Sequence, residues 1–225
     1  MSWTANFDNP DYGSSAFDAD WTSLLTPNRA ALRDNALVLE LAFDSARNVG
    51  TGAQVSSHDK HTEQYGELTA VVKSGATHTG VACVLALQSQ ETRDEISFEW
   101  VGKDPACVQT NYSAKGAADF TTMVPASGID TTVDFHTYAI RWTPEEITWR
   151  VDGRPVRTLR RADTWDATSR THKYPDSAAG VELSIWDDPS TAGSAVTDWA
   201  GGPVSYAEGA TYSMLVRSVT FTSYS

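Results

Sequence analysis

Short runs of alternating polar and apolar residues, cut at close intervals by turn residues, recur along this 225-residue chain. That alternation has the period of a half-buried strand, and no stretch carries the 3.6-residue period of a long helix. Strands are predicted over residues 36–43, 65–73, 79–88, 94–101, 108–112, 136–142, 147–151, 181–186 and 212–222. Turn residues separate them: Asn48 to Gly52, Ser74-Gly75, Gly102 to Pro105, Thr143-Pro144 and Asp152-Gly153. Asp-Gly between two apolar-alternating runs is a strong hairpin signal. Many strands at short spacing imply an all-β sandwich or barrel. Segments 160–180 and 187–210 are polar or rich in Gly, Pro and Asp, and are predicted as surface loops bordering a groove. There is no internal repeat, low-complexity tract or linker, so residues 1–225 are read as a single domain. A chain of this length can bury a sizeable core.

One predicted strand carries the chemistry. In Glu95-Ile96-Ser97-Phe98-Glu99-Trp100 successive side chains point to opposite faces, so Glu95, Ser97 and Glu99 share one face. Ile96, Phe98 and Trp100 share the other, which faces the core. The two glutamates are roughly 13 Å apart at Cα, and side chains leaning together close much of that gap. Carboxyls about 5–5.5 Å apart suit a retaining glycosidase, one as nucleophile and the other as acid/base. Glutamate is a poor strand former, so two on one strand call for a reason beyond folding.

A net charge of −12 disfavours nucleic acid and anionic membrane surfaces as partners, since both repel an acidic protein. A neutral polysaccharide or oligosaccharide meets no such penalty. Eight Trp and eight Tyr are enough to fill a core and still leave rings to stack on sugars. No apolar run approaches the roughly 18 residues of a membrane span. Met1-Ser2-Trp3 leads straight into polar sequence, with no signal peptide. The expected form is a mature, secreted domain, and a monomer. Cys83 and Cys107 are expected to flank Val101 on neighbouring strands, roughly 9–10 Å apart at Cα. A disulfide needs less than about 7 Å, so two buried free thiols are predicted.

The segment from Asp94 to Gly102, Asp-Glu-Ile-Ser-Phe-Glu-Trp-Val-Gly, resembles the active-site strand of glycoside hydrolase family 16, whose pattern is Glu-x-Asp-x-Glu. Gln109-Thr110-Asn111-Tyr112 with Lys115-Gly116 is similar to the strand that follows. Phe135-His136-Thr137-Tyr138 with Trp142, then Val151-Asp152-Gly153, is similar to that family's hairpin. Ser184-Ile185-Trp186 and Asp198-Trp199-Ala200-Gly201-Gly202 resemble its late groove-lining segments. The likeness runs from about Gly66 to the C-terminus and is greatest to the fungal Crh-type wall transglycosylases. It implies a β-jelly-roll sandwich of two antiparallel sheets with a glycan groove on the concave face. It also implies cleavage of β-linked polysaccharide with retention, then transfer to another sugar chain or to water. For the Crh type it implies chitin as donor, β-glucan as acceptor, and a secreted or cell-wall location. No hydrophobic anchor tail follows Ser225.

By position, the resemblance makes Glu95 the nucleophile and Glu99 the acid/base. Ser97 departs from the pattern, standing where the family has Asp. Serine can donate one hydrogen bond to Glu95 but carries no negative charge. Reduced activity is therefore expected, by about 10- to 1000-fold. Gln109 and Asn111, next to the catalytic strand, are candidate sugar contacts because amides both donate and accept. Trp186 and Trp199 are the stacking candidates, and Tyr112 and Lys115 further sugar contacts. Trp142 and Trp149 are assigned to the core and His136 to a structural role. His58 and His61 have no third ligand, so no metal site is assigned. The resemblance implies at most a structural calcium at the sandwich rim, with Asp8 and backbone carbonyls as donors. The competing reading is a glycan-binding module with little or no turnover, favoured by the missing Asp.

Overall fold

The structure, a computed structural model, describes residues 2–117, 123–187, 195–206 and 209–224. Among these, the strands run in chain order β1 (Ser2–Asn6), β2 (Thr22–Leu25), β3 (Ala30–Arg33), β4 (Ala36–Asp44), β5 (Val49–Thr51), β6 (Ala53–Ser56), β7 (Gly66–Lys73), β8 (Val81–Gln88) and β9 (Glu95–Val101). They continue with β10 (Cys107–Ser113), β11 (Val124–Ser127), β12 (His136–Trp142), β13 (Glu146–Val151), β14 (Arg154–Arg160), β15 (Trp165–Asp166), β16 (Thr171–His172), β17 (Gly180–Asp187) and β18 (Thr211–Ser223). Two short α-helices, α1 (Ser14–Asp20) and α2 (Ala195–Ala200), and 3-10 turns at Pro27–Arg29 and Arg161–Thr164 lie between strands. Among the described residues no helix is long and apolar enough to cross a membrane.

Two antiparallel sheets pack as a jelly-roll sandwich. One follows the order β14-β13-β12-β7-β18-β4-β3, with β1 added to β18 and β5 to β4. The other follows β11-β10-β9-β8-β17-β6-β2. The alternation in sequence becomes alternation in burial: along β7 every second residue is buried and those between are half-buried. Asp152-Gly153 forms the predicted two-residue hairpin, with φ of 49° and 76°, as a type I′ turn requires.

The core face of β9 is where the sheets lock. Tyr138 from β12 meets Trp100 edge-on at 4.8 Å between centroids and Phe98 at 5.2 Å. The indole of Trp149 donates across the core to the Ser97 carbonyl at 3.0 Å. Trp142 and Trp149 are both buried in the core, as predicted. Burying each such ring is worth about 1.5–3 kcal/mol, so β9 is held from behind by apolar packing while its other face stays polar.

The structure departs from the sequence reading in three places. First, alternation missed the short or charged strands β1, β2, β3, β5, β6, β11 and β14. The edge strand β14 carries Arg154, Arg157, Arg160 and Pro155 and has little buried surface. Second, segment 160–180 is not one irregular loop. It opens on a 3-10 turn over Arg161–Thr164 and contains the small β15–β16 hairpin, while part of 187–210 is helix α2. Third, Cys83 pairs opposite Trp100 rather than beside Val101. Cys83 therefore faces the core, whereas Cys107 alternates onto the opposite face of the sheet; both are buried free thiols.

Candidate active site

Strand order converts one strand's polar face into a floor. Glu99 lies between Gln109 of β10 and Val84 of β8, and that row continues to Ser184 of β17 and Gln54 of β6. Ser97 lies between Asn111 and Ala86, and its row continues to Glu182 and Ser56. Glu95 lies between Ser113 and Gln88, with Gly180 beyond. Because Ile96, Phe98 and Trp100 enter the core, all three rows face away from it.

The carboxyls on this floor are not equivalent. Glu99 is only 8% exposed. Burial, followed by the charge of Glu95, pushes its pKa up to about 7, against the pull of hydrogen bonds from Ser97 and Asn111. Glu95 is half-buried and accepts a hydrogen bond from the Gln88 amide at 3.0 Å. The Ser97 hydroxyl donates to Glu99 at 2.8 Å. This corrects the expectation that it serves Glu95. The arrangement pairs a carboxyl that holds its proton up to neutral pH with a second carboxyl on the same face. Such a pair can deliver a proton to a leaving group and present an oxygen nucleophile.

Aromatic rings rise beside the Glu99 row. Trp186 and Trp199 stack with centroids 6.1 Å apart and planes 30° from parallel, and both remain partly exposed. The Trp199 indole donates to Gln109 Oε1 at 2.7 Å. Helix α2 ends just beyond this ring at Gly201 and Gly202, whose φ values of 92° and 119° a side chain would resist. The Gly202 amide returns to the Thr197 carbonyl, and the Ala200 carbonyl accepts from Gly80, pinning the helix end over the sheet. Gln109, Asn111, Trp186 and Trp199 are thus brought together with Glu95 and Glu99.

Two candidates are placed elsewhere. Tyr112 alternates to the core side opposite Ile96, packs against the core, and lies under the Arg157 guanidinium at 5.4 Å. Lys115 is engaged in an ion-pair network with Asp94 at 3.2 Å and Asp176 at 2.6 Å. That network reveals a residue the sequence reading left unassigned. Asp94 is buried and accepts from the Lys115 amide and ammonium and from the Asp176 and Ser177 amides. Burial alone would raise its pKa, but those hydrogen bonds win and hold it below the usual carboxylate range. The network clamps two loops at the end of β9, beside Glu95. Gln88, Gln54 and Glu182 were also missed. Period-2 counting places Glu182, Ser184 and Trp186 on one face, but only the adjacency of β17 to β8 shows that it is the floor's face.

His61 is bound to Asp20 at 2.9 Å and stacked on Trp3, and His136 is bound to Asp152 at 2.8 Å on the other sheet. Asp8 is exposed, and among the described residues no three His, Cys, Asp or Glu side chains converge to hold a metal.

The family model described as glycosyl hydrolases family 16 matches residues 17–201. Crh-like protein 3 of Botryotinia fuckeliana is 34% identical over 199 residues, covering 88% of this chain and 42% of the relative. Crh-like protein 2 of Aspergillus fumigatus is 34% identical over 201 residues, covering 88% and 43%. The chain therefore spans less than half the length of these curated relatives. A solved structure described as Crh5 transglycosylase in complex with NAG superimposes with a TM-score of 0.82 at 27% identity, covering 100% of this chain and 84% of that one. A Bacillus licheniformis β-glucanase shares the fold with a TM-score of 0.78 at 22% identity, covering 99% and 98%.

Proposed function

The chain belongs to glycosyl hydrolases family 16, and on that premise we propose that residues 1–225 form one catalytic domain acting on β-linked polysaccharide with retention. Glu95 is the nucleophile and Glu99 the acid/base. The observation that carries this reading is the asymmetry of the two carboxyls: Glu99 keeps its proton up to about 7, with Glu95 on the same face. In the first step Glu95 attacks the anomeric carbon while Glu99 gives its proton to the departing glycosidic oxygen. The glycosyl ester that forms removes the negative charge of Glu95. Glu99 is then free to stay ionised and to take a proton from the acceptor hydroxyl.

Trp186 and Trp199 offer faces for sugar rings, and Gln109 and Asn111 offer amides for hydroxyls. The likeness to a transglycosylase solved with NAG supports transfer from a chitin-type donor, and a β-glucan is the acceptor this reading assigns. Hydrolysis is the outcome when water takes the acceptor's place. The Crh-like relatives are consistent with a secreted or wall-associated location, and the reading takes the protein as a monomer. A serine at 97 cannot carry the charge of the family's Asp, and its hydroxyl is spent on Glu99. Turnover is accordingly slower than with Asp, by about 10- to 1000-fold. That same hydrogen bond favours the second reading, a groove that holds glycan with little chemistry.

The test is a time course of product sizes from chitin and β-glucan oligosaccharides, using this chain, Ser97→Asp and Glu95→Gln. Products longer than the starting oligomers, abolished in Glu95→Gln and enhanced in Ser97→Asp, are expected. Activity should fall above pH about 7 as Glu99 loses its proton. Binding without products in both this chain and Ser97→Asp would sink the enzyme reading and leave the module.

A further inference from the structure

Beyond β10 the sheet gives way to a cleft. The pairing of β11 with β10 stops at Thr110, so among the described residues no strand flanks Asn111 to Ser113 on that side. There a cleft of about 600 Å³ opens between two walls. The near wall is the end of β10 from Tyr112 onward, and the far wall is segment 163–168 with Lys173. Ser113 is the register partner of Glu95, so the cleft begins one strand spacing, roughly 5 Å, from that residue's Cα.

The far wall is the β15–β16 hairpin, and it carries Trp165. This ring is 54% exposed, whereas every other tryptophan is buried or half-buried. One exposed apolar side chain is ordinary. A ring that lines a cleft beside converging polar groups marks a binding site. His172, the register partner of Trp165, meets it edge-on at 5.1 Å and supports it from outside the cleft lining. Asp166, in the same cleft, accepts from the Thr168 amide at 2.8 Å and pairs with Lys173 at 3.3 Å. Those contacts, the amide first, hold its pKa at about 2, so it is ionised at neutral pH. Each of its oxygens has a second lone pair to offer a hydroxyl.

The two walls are fixed to each other. The Lys173 amide donates to the Thr164 carbonyl at 2.9 Å. Lys115, just past the near wall, meets Asp176, just past the far wall, at 2.6 Å. Both also hydrogen-bond Asp94, the residue before Glu95. The cleft is therefore preformed and held in register with Glu95, which lowers the ordering cost of a ligand.

Taking the enzyme reading above as its basis, we propose that this cleft is a second glycan-binding site, in which Trp165 stacks on a ring of a neutral β-linked chain that also reaches Glu95. Asp166 and Lys173 take the hydroxyls at the edge of that ring. A polyanion would meet Asp163 and Asp166 with one lysine to offset them, so a neutral chain is the fitting ligand. The cleft that holds Gln54, Ser184 and Trp186 lies on the opposite side of β9. The catalytic strand thus sits between two clefts, and a chain cut in its interior is oriented best when held on both sides of the bond.

Two measurements test this, both on the intact chain carrying Glu95→Gln so that no ligand is consumed. Nitrogen-15 NMR of the indole N–H groups follows Trp165, whose signal is identified by its loss in Trp165→Phe. A hexasaccharide of chitin or of β-glucan is expected to shift that signal, and a disaccharide to leave it in place. In calorimetric titration Trp165→Ala is expected to weaken hexasaccharide binding by about 3- to 10-fold and to leave disaccharide binding unchanged. A Trp165 signal indifferent to both hexasaccharides overturns the proposal, and so does an equal loss for both lengths, which is what a merely structural ring would give. A shifted Trp165 signal when the unmutated chain makes no product sustains the site and sinks the enzyme reading. Products from the unmutated chain with an unmoved Trp165 signal do the reverse.

Discussion

Glu99→Gln keeps the shape of a protonated glutamate and removes its titration, so it isolates what a buried carboxyl costs the fold. In the unfolded chain this group titrates at 4.5, and in the folded chain at about 7. A folded pKa above the unfolded one means that the native state holds the proton more tightly. The contribution is fully present below 4.5 and is lost as pH rises to about 7. At about 1.36 kcal/mol per pH unit, the loss is about 3 kcal/mol. With 8% exposure the group has little solvent to screen it. Urea denaturation of both proteins at half-unit steps from pH 4 to pH 9 reads this directly. The two stability curves should run parallel below about 4.5, separate through neutrality, and run parallel again above about 7, with the glutamine variant ahead. Activity should be abolished throughout. A stability difference that does not vary with pH would refute the claim that Glu99 is held protonated by its surroundings.

Asp94→Ala removes the acceptor of four hydrogen bonds and frees two loops beside Glu95. A loss of about 3 kcal/mol in unfolding free energy is expected. It should shrink as acid protonates Asp94 in the parent, since its folded pKa is depressed. Trp149→Phe strips the donor from the Ser97 carbonyl and should cost about 2–3 kcal/mol by calorimetry, with the fold retained. Trp199→Ala should weaken oligosaccharide binding by about 3- to 10-fold in calorimetric titration. Cys83 and Cys107 should react with a thiol reagent only after unfolding, with the Cys83 thiol pushed up to about 12 by burial, and a reductant should leave Tm unchanged.

Period-2 alternation alone placed Glu95, Ser97 and Glu99 on one face and Ile96, Phe98 and Trp100 on the other, because a strand offers its side chains only two directions. It identified β4, β7, β8, β9, β10, β12, β13, β17 and β18 for the same reason: each has a buried face to mark it. Short edge strands such as β14 escaped, since a strand with little to bury leaves little pattern. The hairpin at Asp152-Gly153 was legible because positive φ at both positions restricts the choice of residue. What no single strand encodes is who its neighbours are. Glu182 met Ala86 and Ser97 only when β17 was laid beside β8, and Gln88 met Glu95 only across a strand pair. Trp199 reached Gln109 because two glycines turned a helix end over the sheet. The choice of Glu99 rather than Glu95 as the partner of the Ser97 hydroxyl, and the raised pKa of Glu99, follow from distances and burial. Those are properties of the packed sandwich, in which hydrogen bonds and desolvation act between residues that sequence keeps far apart.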